Sequence, residues 1–123
     1  MNGAELVERA EGVSARAYAP YSKYFVGASV LTSDGRVFDG ANVENAAYPL
    51  GVCAEKSAIT AAATAGVRPG EIAAIGITAS PCGGCRQWLH EWHIPLVAFR
   101  RADGTIAEYA ADELLPDTWD LPE

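Results

Sequence analysis

Three cysteines, Cys53, Cys82 and Cys85, have the spacing in this chain that most clearly predicts chemistry. Cys82 and Cys85 form a Cys-x-x-Cys pair, which is typical either of a metal clip or of a redox pair. An odd number of cysteines argues against a closed disulfide framework, and a third thiol does not suit a redox pair. Zinc favours thiolate ligands, and three protein ligands with an open fourth position are typical of a catalytic zinc. We therefore predict one zinc ion per chain, bound by the three cysteines and a water molecule.

Glu55 lies two residues after Cys53, at the predicted start of a helix. An isolated glutamate at that point would only complement the positive end of the helix dipole. Beside a zinc ion, a carboxylate that is not a ligand can instead carry a proton from the bound water to a leaving group. Both cysteine segments precede predicted helices, whose unpaired N–H groups stabilise thiolates. We therefore predict that Glu55 is the catalytic acid and base.

His90 and His93 are the two histidines that could supply a fourth ligand. In a helix over 86–92, His90 lies five residues past Cys85, which is about 140° around the axis and about 7.5 Å along it. That separation is too large for His90 to share a metal with cysteines in the preceding turn. Both histidines are therefore predicted to lie on a helix surface or at an interface.

The elements that must position these residues follow from the hydropathy pattern, which predicts the order α-β-β-α-β-α-β-β-α. Helices are predicted over 4–17, 53–65, 86–92 and 111–115. Strands are predicted over 24–31, 36–43, 71–78, 95–100 and 105–109. The helices between the inner strands imply crossover connections. The pattern therefore predicts an α/β fold of three layers, α-β-α, with a mixed five-stranded sheet.

Length and charge narrow the class of protein. The chain has 123 residues, the length of one domain, so residues 1–123 are expected to form a single domain. Nine basic and sixteen acidic residues give a net charge of −7, which disfavours nucleic acid as a partner. The sequence has no apolar run of about 18 residues, the length that would predict a membrane-spanning helix. The acidic N-terminus lacks the apolar core of a secretory signal, so we expect a cytoplasmic protein.

Several further motifs accompany the cysteines. Cys53-Ala54-Glu55 followed by Pro81-Cys82-Gly83-Gly84-Cys85 matches the zinc signature of nucleobase deaminases in its three-cysteine form. The segments 42–48 (Asn-Val-Glu-Asn-Ala-Ala-Tyr) and 80–87 (Ser-Pro-Cys-Gly-Gly-Cys-Arg-Gln) extend the match, as do 18–24, 26–28 and 113–116. Together these motifs resemble the small, homotetrameric cytidine deaminases, and the resemblance covers nearly the whole chain.

The resemblance implies hydrolytic deamination of free cytidine and 2′-deoxycytidine to uridine and 2′-deoxyuridine, with release of ammonia, in pyrimidine salvage. It implies attack of zinc-bound hydroxide on C4 of the base. Glu55 would take up the proton of the water and pass it to N3 and to the departing amine. The Ala54 N–H would face the C2 carbonyl, and the Ser80 carbonyl would accept a hydrogen bond from the exocyclic amine.

The resemblance also implies contacts to the rest of the nucleoside. Asn42 and Glu44 stand two residues apart, so in extended backbone their side chains would share a face, and in the family these positions hold the ribose 3′-hydroxyl. Tyr24 occupies the place of a phenylalanine that stacks on the pyrimidine. Tyr48 and Trp119 match positions that reach into the site of a neighbouring subunit. A homotetramer with shared sites is therefore expected.

Three thiolates around Zn²⁺ leave a net charge of −1, which hydrogen bonds to the sulfurs would offset. Arg86 follows Cys85 directly and is predicted to donate to a cysteine sulfur. Lys56 stands where the family usually has arginine. It keeps the positive charge of that arginine but lacks the planar fork.

Two other functions remain open on the sequence alone. Tyr24 and Lys56 depart from the family pattern, which leaves open a deaminase of a related aminopyrimidine nucleoside such as blasticidin S. Cys82-x-x-Cys85-x4-His90 resembles part of a zinc knuckle, which would make the chain a zinc-stabilised RNA-binding module. That module would lack a fourth ligand, because position 95 is proline, and it would leave Cys53 and Glu55 unexplained. Deamination of a polynucleotide is chemically possible, but the acidic charge favours a free nucleoside.

Overall fold

A computed structural model describes residues 1–122 and contains one five-stranded sheet. The strands in chain order are β1 (Gly27–Thr32), β2 (Val37–Ala41), β3 (Ile72–Ile77), β4 (Leu96–Arg100) and β5 (Ile106–Tyr109). The α-helices are α1 (Gly3–Ser14), α2 (Ala54–Thr64) and α3 (Gly83–Glu91). Two short 3₁₀ helices follow β2 and β5, at Tyr48–Leu50 and Ala111–Leu114.

The sheet has the strand order β2-β1-β3-β4-β5. β1 pairs antiparallel with both β2 and β3, and β4 pairs antiparallel with β5. β3 and β4 are parallel neighbours. A parallel pair requires a crossover connection, and α3 lies in that connection. The predicted mixed sheet of five strands is confirmed.

Helices cover both faces of the sheet at close range. A Cβ atom added to Gly76 of β3 would overlap the backbone of Leu6 and Val7, so α1 lies directly on one face. A Cβ added to Gly40 of β2 would overlap the backbone N of Ala58, so α2 lies as closely on the opposite face. Small side chains at these strand positions therefore set the distance between the layers. The predicted three-layer arrangement is confirmed.

The core beneath α2 and α3 fixes where these two helices begin. Fully buried aliphatic side chains come from both helices and from the central strands, among them Val30, Ile59, Ile75, Leu89 and Val97. Full burial of each such side chain is worth about 1.5–3 kcal/mol relative to exposure. The N-terminal ends of α2 and α3 are therefore held side by side on one face of the sheet.

The structure differs from the sequence prediction mainly at element boundaries. The predicted strand over 24–31 begins only at Gly27, and the predicted helix over 86–92 begins earlier, at Gly83. Cys85 consequently lies in the first turn of α3, and not in the loop before it. The last predicted helix, over 111–115, is a 3₁₀ turn. Asn2 begins α1 with a capping box, in which its side chain accepts the Glu5 N–H at 2.9 Å.

Within residues 1–122, no helix combines the length and the apolar character that crossing a membrane requires.

Candidate active site

The three cysteine sulfurs converge where α2 and α3 begin. Cys53 is the residue before α2, Cys82 is the residue before α3, and Cys85 lies in the first turn of α3. The three Sγ atoms all lie within 4.8 Å of one another. Sulfurs bound to a tetrahedral zinc at about 2.3 Å are about 3.8 Å apart. The donor set and its dimensions therefore fit one zinc ion with a fourth position left open.

The local fold favours the thiolate at Cys82 but not at Cys53 or Cys85. Cys53 and Cys82 have extended backbones and stand directly before the free N–H groups of a helix start. Desolvation opposes ionisation of Cys82, but the backbone N–H of Cys85, the neighbouring thiols of Cys85 and Cys53, and the backbone N–H of Gly84 together outweigh it and lower the pKa of the Cys82 thiol. Burial raises the pKa of the Cys53 and Cys85 thiols. A bound cation is the group that would favour all three thiolates together.

Glu55 lies beside the cysteine cluster, in the first turn of α2. Its side chain is only 4% exposed, and this burial raises the pKa of the carboxyl. A carboxyl group with a raised pKa can both take up and release a proton near neutral pH. The geometry therefore suits Glu55 for proton transfer and leaves the metal ligands to the cysteines.

A cavity of about 470 Å³ opens in front of Glu55 and the cysteines. That volume falls within the usual range for small-molecule sites. The cavity brings together residues that are far apart in the sequence. Its wall includes Tyr24, Asn42, Glu44, Cys53, Ala54, Glu55, Ser80 and Cys82. The cavity wall thus includes two of the three predicted ligands, the predicted acid and base, and the base and sugar contacts predicted from residues 24–80 other than Tyr48.

Asn42 and Glu44 both bond the segment before β1. The Oδ1 atom of Asn42 accepts the Val26 N–H at 2.8 Å, and its Nδ2 donates to the Tyr24 carbonyl at 2.8 Å. These two bonds hold residues 24–26, which the sequence predicts as strand, outside the sheet. Asn42 is therefore a structural clamp as well as a wall of the cavity.

Glu44 accepts three hydrogen bonds from a single turn. Its Oε1 accepts the N–H groups of Tyr21 at 3.0 Å and Ser22 at 3.1 Å, and its Oε2 accepts the Ser22 hydroxyl. The bond from the Ser22 hydroxyl, with those from the backbone, holds the pKa of Glu44 below its ordinary value. Glu44 is therefore a carboxylate at neutral pH and can accept a further hydrogen bond from a ligand.

Arg86 does not contact a cysteine sulfur, so that prediction is wrong. Its Nε donates to Pro81 O at 2.9 Å, its Nη1 to Leu114 O at 3.1 Å and its Nη2 to Ser80 Oγ at 3.1 Å. Because α3 begins at Gly83, Arg86 lies in its first turn, and helical side chains lean toward the N-terminus. The guanidinium therefore reaches back over the turn at 80–81 and ties it to the 3₁₀ helix at Ala111–Leu114.

Lys56 places a positive charge near the cysteine cluster. Its Nζ lies 6.0 Å from the centre of the Trp88 ring, at the outer limit of a cation–π contact. A Cβ atom added to Gly84 would lie 3.8 Å from this Nζ and 4.0 Å from Cys82 Sγ. Lys56 therefore joins α2 to α3 beside the turn that carries Cys82.

Tyr48 and Trp119 do not line the main cavity formed by residues 1–122. Both are exposed, Tyr48 by 74% and Trp119 by 68%. Tyr48 belongs to the first 3₁₀ helix and packs edge-on against Tyr21, with 5.9 Å between ring centres. Tyr21 and Tyr48 line a second, smaller cavity beside Glu44.

Several parts of the cavity wall, among them Ser22 and residues 100–102, were not predicted from the sequence. Ser22 lines the cavity, although its segment, 18–24, was matched to the family without a contact being assigned to Ser22. Residues 100–102, at the end of β4, also line it. The motif Tyr18-Ala19-Pro20-Tyr21-Ser22 was the available signal for Ser22, because it lies within the matching N-terminal segment.

Comparisons with known proteins agree with this geometry. The family model for the cytidine and deoxycytidylate deaminase zinc-binding region matches residues 2–100. The cytidine deaminase of Sporosarcina psychrophila is 37% identical over 94% of this chain and 90% of its own. The cytidine deaminase of Halalkalibacterium halodurans is 42% identical over 86% of each chain. The crystal structure of the Burkholderia pseudomallei cytidine deaminase superposes with a TM-score of 0.90 at 43% identity, covering 97% of this chain and 100% of that one.

Proposed function

Because the chain belongs to the family of zinc-dependent cytidine deaminases, we propose that its cavity binds a free nucleoside. The reaction is hydrolysis of cytidine and 2′-deoxycytidine to uridine and 2′-deoxyuridine, with release of ammonia. The observation that carries the proposal is the meeting of Cys53, Cys82 and buried Glu55 at one cavity of about 470 Å³. The Sγ atom of Cys85 lies behind them, within 4.8 Å of the other two sulfurs. Residues 1–123 would act as a single catalytic domain.

Zinc bound by Cys53, Cys82 and Cys85 supplies the Lewis acidity that makes water a nucleophile near neutral pH. Glu55 handles the protons of the reaction. Its carboxylate takes the proton that the attacking water loses and donates it to N3 of the base. It then takes the proton of the new C4 hydroxyl and delivers it to the amine, so that the C4 carbonyl forms as the C4–N bond breaks and ammonia leaves. The raised pKa of the buried carboxyl supports this role, because the group must be both acid and base within one turnover.

The base would be oriented by backbone groups on either side of the cysteines. Ala54 is the first residue of α2, and helix geometry leaves its N–H without a partner inside the helix. This donor faces the C2 carbonyl of the base. The Ser80 carbonyl accepts from the exocyclic amine, and Arg86 keeps the turn of Ser80 in place. Tyr24 stacks on the pyrimidine ring.

The sugar would be held by Asn42 and Glu44. Each residue already accepts or donates structural hydrogen bonds, which fix its orientation before a ligand arrives. Each also keeps capacity for one more bond, since an amide nitrogen has two donors and a carboxylate accepts about four bonds. We assign these remaining positions to the ribose 3′-hydroxyl.

The exposed aromatic side chains support assembly into a homotetramer. Tyr18, Tyr48, Leu50 and Trp119 are all more than half exposed in the single chain, which leaves them available for contact with neighbouring subunits. In the proposed tetramer, Tyr48 and Trp119 contribute to the site of a neighbouring subunit. The enzyme would act in the cytoplasm, where thiols remain reduced.

The test is a deamination assay on the purified protein with zinc measured in the same sample. We expect loss of ultraviolet absorbance with cytidine and with 2′-deoxycytidine, release of ammonia, and one zinc per chain. A zinc-replete protein that leaves cytidine intact but converts blasticidin S would support the related antibiotic deaminase. RNA binding without deamination of any nucleoside would support the zinc-stabilised binding module.

A further inference from the structure

The hydroxyl of Ser22 joins the residue assigned to the sugar with the residue assigned to the base. It donates to Oε2 of Glu44 and accepts the backbone N–H of Tyr24 at 3.0 Å. A serine hydroxyl has one donor and two acceptor positions, so the single donor of Ser22 is fully used by Glu44. No other described side chain bonds both of these residues.

These bonds fix the rotation of the Glu44 carboxylate. Its Oε1 is held by the backbone of Tyr21 and Ser22, at 3.0 and 3.1 Å, while its Oε2 is held only by the Ser22 hydroxyl. Without that hydroxyl, Oε2 would have no protein partner among the described residues. The carboxylate could then turn about its last bond, and its free acceptor position would no longer point in one direction.

The turn that carries Ser22 is strained and therefore depends on such bonds. Lys23, between Ser22 and Tyr24, has a φ angle of 59°, in the left-handed region that non-glycine residues seldom occupy. Residues in this region persist where their surroundings determine them strongly. Here Ser22 is bonded to Glu44 on one side, and the Tyr24 carbonyl accepts from Asn42 at 2.8 Å on the other.

We propose that Ser22 is a positioning residue for recognition of the sugar. Its hydroxyl orients the carboxylate of Glu44 toward the 3′-hydroxyl of the nucleoside. Ser22 takes no part in the chemical step. This inference rests on the proposed function, because it takes cytidine as the substrate and Glu44 as a contact of its sugar.

The test compares cytidine with 3′-deoxycytidine, which lacks the hydroxyl that Glu44 would hold. We expect the Ser22→Ala variant to lose about tenfold in kcat/KM on cytidine, the order of one lost hydrogen bond to a charged group. The loss should appear mainly in KM. The kcat/KM for 3′-deoxycytidine should change by less than about twofold, since this substrate has no 3′-hydroxyl to bond Glu44.

Two further variants separate positioning from folding. Ser22→Thr keeps the hydroxyl on an exposed side chain and should retain most of the preference for cytidine. Ser33→Ala removes another exposed serine, which bonds Glu71 O at 3.2 Å in the β1–β2 turn, and should leave both substrates unaffected. Thermal unfolding of each variant checks that the fold is intact.

Three results would overturn the inference, and they differ in what else they affect. If Ser22→Ala lowers kcat/KM equally for both substrates, Ser22 only stabilises the turn and the proposed function stands. If the wild-type protein does not distinguish the two substrates, the assignment of Glu44 to the 3′-hydroxyl is also wrong. If the wild-type protein does not convert cytidine, the proposed function itself is wrong.

Discussion

The side-chain amide of Asn42 donates to the backbone carbonyl of Tyr24 at 2.8 Å. The residue assigned to the sugar thus holds the residue assigned to the base, 18 positions earlier in the chain. The same amide accepts the Val26 N–H through its oxygen, just before β1 begins. The sugar and base halves of the cavity are therefore coupled through one side chain.

This coupling predicts different effects for the two sugar residues. Asn42→Ala should weaken the binding of cytidine and also the binding of free cytosine as a competitor, because the segment at Tyr24 loses two hydrogen bonds. Glu44→Ala should act mainly on cytidine. A lost hydrogen bond to a buried partner costs about 1–3 kcal/mol, or roughly 5- to 150-fold in affinity. The inhibition constant of cytosine reports on base binding, and kcat/KM for cytidine reports on the whole nucleoside. Unchanged cytosine binding by the Asn42→Ala variant would contradict the coupling.

Arg86→Gln should lower stability and weaken the base site without releasing zinc. The guanidinium makes three hydrogen bonds, to Pro81, Ser80 and Leu114, which the substitution removes. The three cysteines that would bind zinc are unchanged. We expect a loss of about 1–3 kcal/mol in the free energy of unfolding, and a higher KM. Arg36→Gln, on an exposed hairpin arginine, is the control. Loss of zinc with unchanged unfolding would instead place Arg86 at the metal.

Gly40→Ala should disturb the active site from the opposite face of α2. The new Cβ would overlap the backbone N of Ala58, so α2 must move away from β2 together with Ala54 and Glu55 at its start. Overpacking of this kind costs about 1–3 kcal/mol, and turnover should fall as well. Gly12→Ala meets open space in α1 and should be neutral or more stable by up to about 1 kcal/mol. Denaturant unfolding of both variants measures the two changes in stability. Equal stability of Gly40→Ala and Gly12→Ala would contradict the close packing of α2 on β2.

Much of the fold and the metal site follows from local patterns in the sequence. The cysteines stand at helix starts because the apolar period begins just after them, and the five strands follow from apolar runs bounded by turns. The start of α3 was placed too late, because Gly83-Gly84 favours a turn when taken alone. In the structure, burial of Leu89 and Cys85 extends the helix through both glycines.

The side-chain contacts that shape the cavity could not be predicted in this way. Arg86 reaches Leu114, 28 residues away, and Ser22 reaches Glu44 across 22 residues. Both contacts depend on where loops return to the sheet, which neither spacing nor periodicity specifies. For this reason Arg86, which was predicted to donate to a cysteine sulfur, instead donates to three oxygen atoms.

Stability should depend on pH through His90. Hydrogen bonds to Asp120 and Asp112, both at 2.9 Å, raise the pKa of His90 above its ordinary value of 6.5. A raised folded-state pKa gives stabilisation that is complete below the unfolded pKa and is lost as pH rises through the folded pKa. The difference in melting temperature between wild type and His90→Gln should therefore be largest near pH 6 and vanish at alkaline pH.

His93→Asn is the control for this titration. His93 is exposed and has a φ angle of 54°, a backbone conformation that asparagine tolerates. Comparison of His93→Asn with His90→Gln separates the loss of a histidine at this end of α3 from the loss of the two hydrogen bonds that His90 makes to Asp112 and Asp120. A constant difference between wild type and His90→Gln over pH 5.5–9 would show that His90 does not hold the C-terminal segment through its charge.

The most direct test of the account is the turnover of Glu55→Gln on cytidine, measured with zinc content in the same sample. The substitution removes the proton carrier and leaves all three cysteine ligands in place, with exposed Glu91→Gln as the control. General acid–base catalysis is typically worth about 10²–10⁴-fold, so kcat should fall by that factor while the protein keeps its fold and one zinc per chain. A zinc-replete Glu55→Gln protein that keeps more than about a tenth of the wild-type rate would contradict the assignment of proton transfer to Glu55.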